Sequence, residues 1–186
     1  MVGTLPVAPV QLPIFRNRTY IRFKHLDSSL QWFIDNGYLP DPNNPNIELI
    51  PTMTSNTNPS GTVSANAETQ PAYCAFDGNE STYWYTYENT GSYIQYKFDK
   101  AKCVRKILVQ TYFSGSNGLI KKFKVQASND GSTFIDLTDT IINSNQSDKG
   151  ESEYTINNSE KYLYYRVYTV ESGAYSGWRS IQMYGN

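Results

Sequence analysis

Ala75-Phe76-Asp77-Gly78-Asn79-Glu80-Ser81-Thr82-Tyr83-Trp84 joins a tight turn to the start of a strand. Asp77, Gly78 and Asn79 are residue types that accept left-handed backbone angles, and Asp and Asn also hydrogen-bond their own backbone. Thr82 brings a hydroxyl beside the turn, and Trp84 supplies a large apolar anchor for the strand that follows. A turn of this composition ahead of a core aromatic points to a binding module before it points to an enzyme.

Outward from this stretch, strand-like segments are separated by turn-forming clusters. These are Asn129-Asp130-Gly131, Ser114-Gly115-Ser116-Asn117-Gly118 and Asn143-Ser144-Asn145-Gln146-Ser147. Short strands between such turns, with no long helical period, predict an antiparallel β-sandwich over residues 49–186. Residues 1–48 differ. They hold six of the nine prolines (Pro6, Pro9, Pro13, Pro40, Pro42 and Pro45) and read as an N-terminal extended arm and linker serving attachment or assembly. Within the arm, Thr19 to Lys24 alternates apolar and polar residues as a short strand does. Asp27 or Ser28 can cap a short helix through Leu30, Trp32, Phe33 and Ile34 that stops at Asn36-Gly37. That apolar helix needs a partner, on the sandwich or on another subunit. Asp41-Pro42-Asn43-Asn44-Pro45-Asn46 has the composition of a stiff, extended spacer.

Further segments, in order, carry a family likeness. They are Thr54 to Ala65, Tyr93-Ile94-Gln95-Tyr96-Lys97-Phe98, Phe123 to Phe134 with its Ser-Asn-Asp-Gly turn, Tyr164-Tyr165-Arg166-Val167, and Ile181-Gln182-Met183-Tyr184-Gly185. Together with the opening stretch, they resemble the discoidin or coagulation-factor type C domain and its carbohydrate-binding relatives, from Leu49 to Asn186. The resemblance implies an all-β, galactose-binding-like jelly-roll sandwich. It also implies that the Asp-Gly-Asn loop holds a structural calcium ion through Asp77, Asn79 and Thr82, with a Glu near the C-terminus. Here that last place reads Ser180-Ile181-Gln182, so the acidic ligand is missing. The ion is then bound more weakly, or hydrogen bonds close the loop instead.

In such folds recognition lies on loops at one end of the sandwich. Sugars offer an apolar C–H face and a rim of hydroxyls, which calls for aromatic platforms beside side chains that donate and accept hydrogen bonds. The candidates are Tyr85 and Tyr87, Tyr112 and Asn117, and Tyr175 with Trp178 and Arg179. The sixteen tyrosines suit sugar stacking and half-buried strands alike. Trp84 reads as core, and Arg166 as a structural ion-pair or hydrogen-bond donor.

Several classes are disfavoured. A net charge of -1 gives no basic field for nucleic acid or for a membrane surface. No apolar run approaches the ~20 residues that span a bilayer. The single histidine, His25, lies in the arm, no phosphate-cradling loop precedes a helix, and no particular carboxylate pair stands out, so no catalysis is expected. Cys74 and Cys103 read as two buried free thiols, with a disulfide as the alternative, and with His25 they make no zinc set.

Met1 to Val10 lacks a basic cluster, and prolines break any apolar stretch, which is unlike a secretory signal. The expectation that follows is a non-catalytic carbohydrate-binding module of an oligomeric virion, assembled in the host cytoplasm. It would be a phage tail, baseplate or head-fibre protein that contacts a cell-surface glycan and joins other virion subunits through residues 1–48. The alternatives are a structural decoration or cement protein with no sugar ligand, and an extracellular adhesion module from a secreted bacterial enzyme.

Overall fold

The computed structural model describes residues 32–33, 46–112 and 119–186. The chain divides into two units, residues 1–41 and 42–186. In the first, Trp32 and Phe33 are helical, where a short helix is expected, with their rings edge to face at 5.3 Å. The strand expected at Thr19–Lys24 and the spacer up to Pro45 lie outside the described residues.

The second unit is a sandwich of two antiparallel sheets. Its strands are β1 (Ile47–Glu48), β2 (Thr62–Ala65), β3 (Trp84–Thr86), β4 (Tyr93–Lys102), β5 (Val104–Thr111) and β6 (Ile120–Ser128). They continue with β7 (Ile135–Asp136), β8 (Ile141–Ile142), β9 (Glu151–Thr155), β10 (Tyr162–Ser172) and β11 (Ser176–Gly185). One sheet has the order β1-β11-β5-β9, with β3 also on β11; the other has the order β2-β4-β10-β6-β7, with β8 also on β6. Ile47 and Glu48, at the end of the expected arm, therefore belong to a sheet of the sandwich. Among the described residues, no helix is long and apolar enough to cross a membrane.

Side-chain alternation builds the core. Along β10, Tyr165, Val167 and Thr169 are buried, while Tyr164, Arg166 and Tyr168 between them are half-exposed. Ile94, Tyr96 and Phe98 of β4 and Ile107 and Val109 of β5 point inward by the same period of two. Trp84, Trp178, Phe123 and Met183 fill the centre, with Phe123 edge-on to Trp178 at 5.3 Å. Tyr165 is buried with its polar tip satisfied: its hydroxyl donates to the Lys102 carbonyl at 2.6 Å and accepts from the Val104 N–H at 3.2 Å. Burial pushes its pKa up to about 12. Cys74 and Cys103 are both free and buried, as the thiol reading expects.

The Ser128–Thr133 turn joins β6 to β7 through one carboxylate. Asp130 Oδ1 accepts N–H bonds from Thr133 at 2.7 Å and Ser132 at 2.8 Å and a hydroxyl bond from Ser128 at 2.8 Å. These donors, led by the Thr133 N–H, favour the ionised form and lower the pKa to about 2. Because the folded pKa lies below the unfolded one, the contribution of this carboxylate is present above about pH 4 and is lost as the pH falls towards about 2. Comparing Asp130→Asn with the parent by urea denaturation should give a stability gap that is constant at neutral pH and shrinks through that acid window.

Candidate functional site

β3 sets up the most distinctive surface of the sandwich. With Trp84 and Thr86 buried, alternation turns Tyr83, Tyr85 and Tyr87 to the opposite face. Tyr112, one residue past β5, and Tyr175, one residue before β11, reach the same place. The Tyr83 and Tyr112 rings stack at 3.7 Å and 10°. Tyr85 lies 5.8 Å from Tyr112, 5.9 Å from Tyr175 and 5.7 Å from Tyr87. Tyr112 and Tyr175 are 6.1 Å apart. Exposure rises outward, from 9% at Tyr112 to 71% at Tyr87. Tyr85 has a raised pKa, through a hydrogen bond with the Tyr87 hydroxyl and then through partial burial, so it stays neutral and serves as both donor and acceptor.

Gly177, opposite Tyr85 in the β3–β11 ladder, makes this packing possible. A Cβ there would lie 2.8 Å from Tyr112 Cδ1, 3.0 Å from the Trp84 carbonyl oxygen and 3.1 Å from Tyr85 Cβ. The backbone oxygen is fixed by its strand and cannot give way. Gly177→Ala should destabilise the domain by about 1–3 kcal/mol in chemical denaturation, an unusually large effect for adding one methyl group.

Four of the residues expected from sequence, Tyr85, Tyr87, Tyr112 and Tyr175, are thus brought together. Tyr83 was not among them, although its spacing of two from Tyr85 and four from Tyr87 was the available signal. Trp178 is corrected: it is 0% exposed, pairs with Trp84 across β11 and β3, and belongs to the core rather than to a ligand surface. Arg179 is 8% exposed, and its guanidinium is committed to the Glu80 carbonyl at 2.7 Å and the Asp148 carboxylate at 2.8 Å. Asn117 lies outside the described residues. Arg166 behaves as the structural donor expected. Its Nε bonds Gln126 at 2.6 Å, and its guanidinium packs 3.7 Å from the Phe134 ring centre.

The residues expected to hold calcium, Asp77, Asn79 and Thr82, lie together in one hydrogen-bonded turn. Calcium takes about six to eight oxygen ligands converging on one point. In this turn the three side chains also bond one another and the local backbone. The Thr82 hydroxyl donates to the Asp77 carboxylate, with oxygens at 2.7 and 2.9 Å, and the Asn79 N–H binds the same group at 2.9 Å. Asn79 Oδ1 accepts from the Ser81 N–H at 3.0 Å, and the Asn79 carbonyl accepts from the Thr82 N–H at 3.1 Å. Gln182, in the closing segment, donates its amide to Glu48 at 3.1 Å. Among the described residues there is no group of three or more Asp, Glu, His or Cys placed to share an ion.

A groove lies at the far end of β5 from Tyr112. It is an open space of about 680 Å³ beside Asn46, Arg105, Glu153, Thr155 and Asn158. No aromatic ring lines it, so it lacks the platform that the tyrosine end supplies.

The F5/8 type C domain family model matches residues 53–183. The chain belongs to the F5/8 type C domain family. Solved structures place the fold of this F5/8 type C domain among carbohydrate-binding modules. One is a family 32 module of Clostridium perfringens in complex with GalNAc-β-1,3-galactose. It is 20% identical, with a TM-score of 0.59 over 67% of this chain and 94% of that one. A second, the family 32 module of NanJ from C. perfringens, is in complex with galactose. It is 22% identical, with a TM-score of 0.56 over 67% and 93%. A third, from C. perfringens ZmpB, holds two such modules and a catalytic domain. It is 14% identical, with a TM-score of 0.58 over 67% of this chain and 14% of that one. No curated protein matches.

Proposed function

We propose that this F5/8 type C domain is a non-catalytic carbohydrate-binding module that takes a neutral sugar on the Tyr85, Tyr87 and Tyr175 rings. The observation that carries the reading is the five-ring tyrosine cluster, buried at Tyr112 and open at Tyr87. A pyranose lays its C–H face on a ring, while neighbouring phenol hydroxyls donate to and accept from its hydroxyl rim. The two basic side chains nearest the cluster are paired, Arg179 with Asp148 and Lys149 with Glu80, which favours an uncharged ligand over an anionic one. The saccharides in the two related complexes support a galactose-type sugar of a cell-surface glycan.

A cluster of inclined, partly exposed rings of this kind suits weak single-site binding, on the order of 1 mM, strengthened by multivalent display. For the larger assembly, the ZmpB structure, with its modules beside a catalytic domain, makes a multidomain enzyme a carrier that fits as well as a virion does.

A glycan array probed with bead-displayed protein tests the reading. Glycans ending in galactose or N-acetylgalactosamine should bind. Tyr85→Ala and Tyr175→Ala should weaken binding about tenfold, while Tyr164→Ala, on the other sheet, leaves it unchanged. Absence of binding to every glycan, or full binding by both cluster variants, would contradict it.

A further inference from the structure

The turn at Asp77–Thr82 leads directly into Tyr83, so whatever fixes the turn also fixes the start of the tyrosine cluster. We propose that Arg179 is a built-in cation that locks this turn and positions the tyrosine platform, so that the domain keeps its shape and its ligand affinity without a divalent ion. The binding part of this proposal rests on the carbohydrate reading above; the structural part does not.

The placement of Arg179 begins with strand register. Trp178 pairs with Thr111 and Ser180 with Gln110, so the β11–β5 ladder slips by one residue and leaves Arg179 without a partner on β5. An extra residue of this kind re-aims its side chain out of the regular alternation. The guanidinium lies almost buried, with Nη1 donating to the Glu80 carbonyl at 2.7 Å and Nη2 donating to Asp148 at 2.8 Å. It also sits 5.6 Å from the Tyr83 ring centre and 5.5 Å from that of Tyr112. A buried Arg is held by such planar, two-sided contacts where a Lys would meet only one of them.

Three tyrosine-bearing segments converge on this side chain. The turn gives Tyr83. The loop carrying Asp148 is tied to the end of β5, just before Tyr112, because the Thr111 N–H bonds the Gly150 carbonyl at 2.9 Å and the Lys149 N–H bonds the Thr111 carbonyl at 3.1 Å. β11 carries Arg179 itself, four residues beyond Tyr175. Lys149 and Glu80, 3.6 Å apart, add an outer rung between the same turn and loop. The positive charge that gathers the turn carbonyl is therefore covalent, and Asp148 balances it. Removing the Asp148 charge leaves the Arg179 guanidinium in a nearly dry site without its counter-charge, whereas Asp148 itself is 41% exposed.

The test uses the full chain. Thermal unfolding and tyrosine near-ultraviolet circular dichroism are recorded with added calcium and with a chelator, and galactoside binding is measured in both. Neither addition should shift the melting temperature, the tyrosine signal or the affinity of the parent protein. Arg179→Gln should reduce the tyrosine signal and weaken galactoside binding about tenfold or more. Arg179→Lys should recover part of both, and methylguanidinium should restore the signal of Arg179→Ala. If Arg179→Gln fails to fold, Asp148→Asn, which keeps the shape and removes the balancing charge, should give a smaller loss of the same signal.

A rise in melting temperature with calcium, or loss of the tyrosine signal on chelation, would overturn the proposal. So would an Arg179→Gln or Asp148→Asn variant with the parent signal. The thermal and spectroscopic arms need no sugar, so a failure of the carbohydrate reading leaves them decisive.

Discussion

Trp84 and Trp178 face each other across β3 and β11, both wholly buried, and the binding end of the sandwich is organised by that pairing. Truncating a buried Trp typically costs about 3–5 kcal/mol, which is a large share of the stability of a domain this size. The inward position of Trp84 is therefore not negotiable. Once it is set, strand geometry leaves Tyr83, Tyr85 and Tyr87 no choice but to face outward. On β11, the same anchoring at Trp178, followed by a one-residue slip in register, sends Arg179 towards the turn rather than towards solvent. Core packing and the composition of the surface cluster are thus two results of one constraint.

Charge plays an uneven part in the rest of the structure. Lys124–Asp136 at 2.6 Å and Lys122–Glu171 at 2.7 Å are close contacts between solvent-accessible side chains, and such pairs contribute little. They lower the carboxylate pKa values of Asp136 and Glu171 without anchoring any element. Arg179–Asp148 differs because the guanidinium is nearly inaccessible and joins three segments. The tyrosine cluster consequently rests on a fixed base, and rigid aromatic surfaces lose little conformational entropy when a ligand settles on them.

Much of this was written locally in the chain. The Asp77-Gly78-Asn79 turn before Trp84, the period of two along Tyr164-Tyr165-Arg166-Val167 and the Ser-Asn-Asp-Gly hairpin each act over a few residues, and each is a sandwich feature. The alternation that revealed Tyr85 and Tyr87 extends to Tyr83 and needed only to be followed one step upstream. What escaped was long-range. Trp178 follows a Gly-rich loop, and only pairing with Trp84 shows that β11 has already begun at Ser176. The partners of Arg179 lie 99 and 31 residues away in sequence, beyond any local pattern. The turn residues expected to hold an ion bond one another and the local backbone, and Arg179 reaches the Glu80 carbonyl of the same turn from 99 residues away.

The most direct measurement is an NMR titration of protein carrying isotope-labelled tyrosine rings with a methyl galactoside, each ring assigned by substitution. Shifts confined to Tyr85, Tyr87 and Tyr175, with smaller ones at Tyr83 and Tyr112 beneath them and none at Tyr96 or Tyr164, are the expected result. Saturable shifts centred on Tyr184, which lies 4.6 Å from Lys106 at the opposite groove, with the cluster silent, would contradict it.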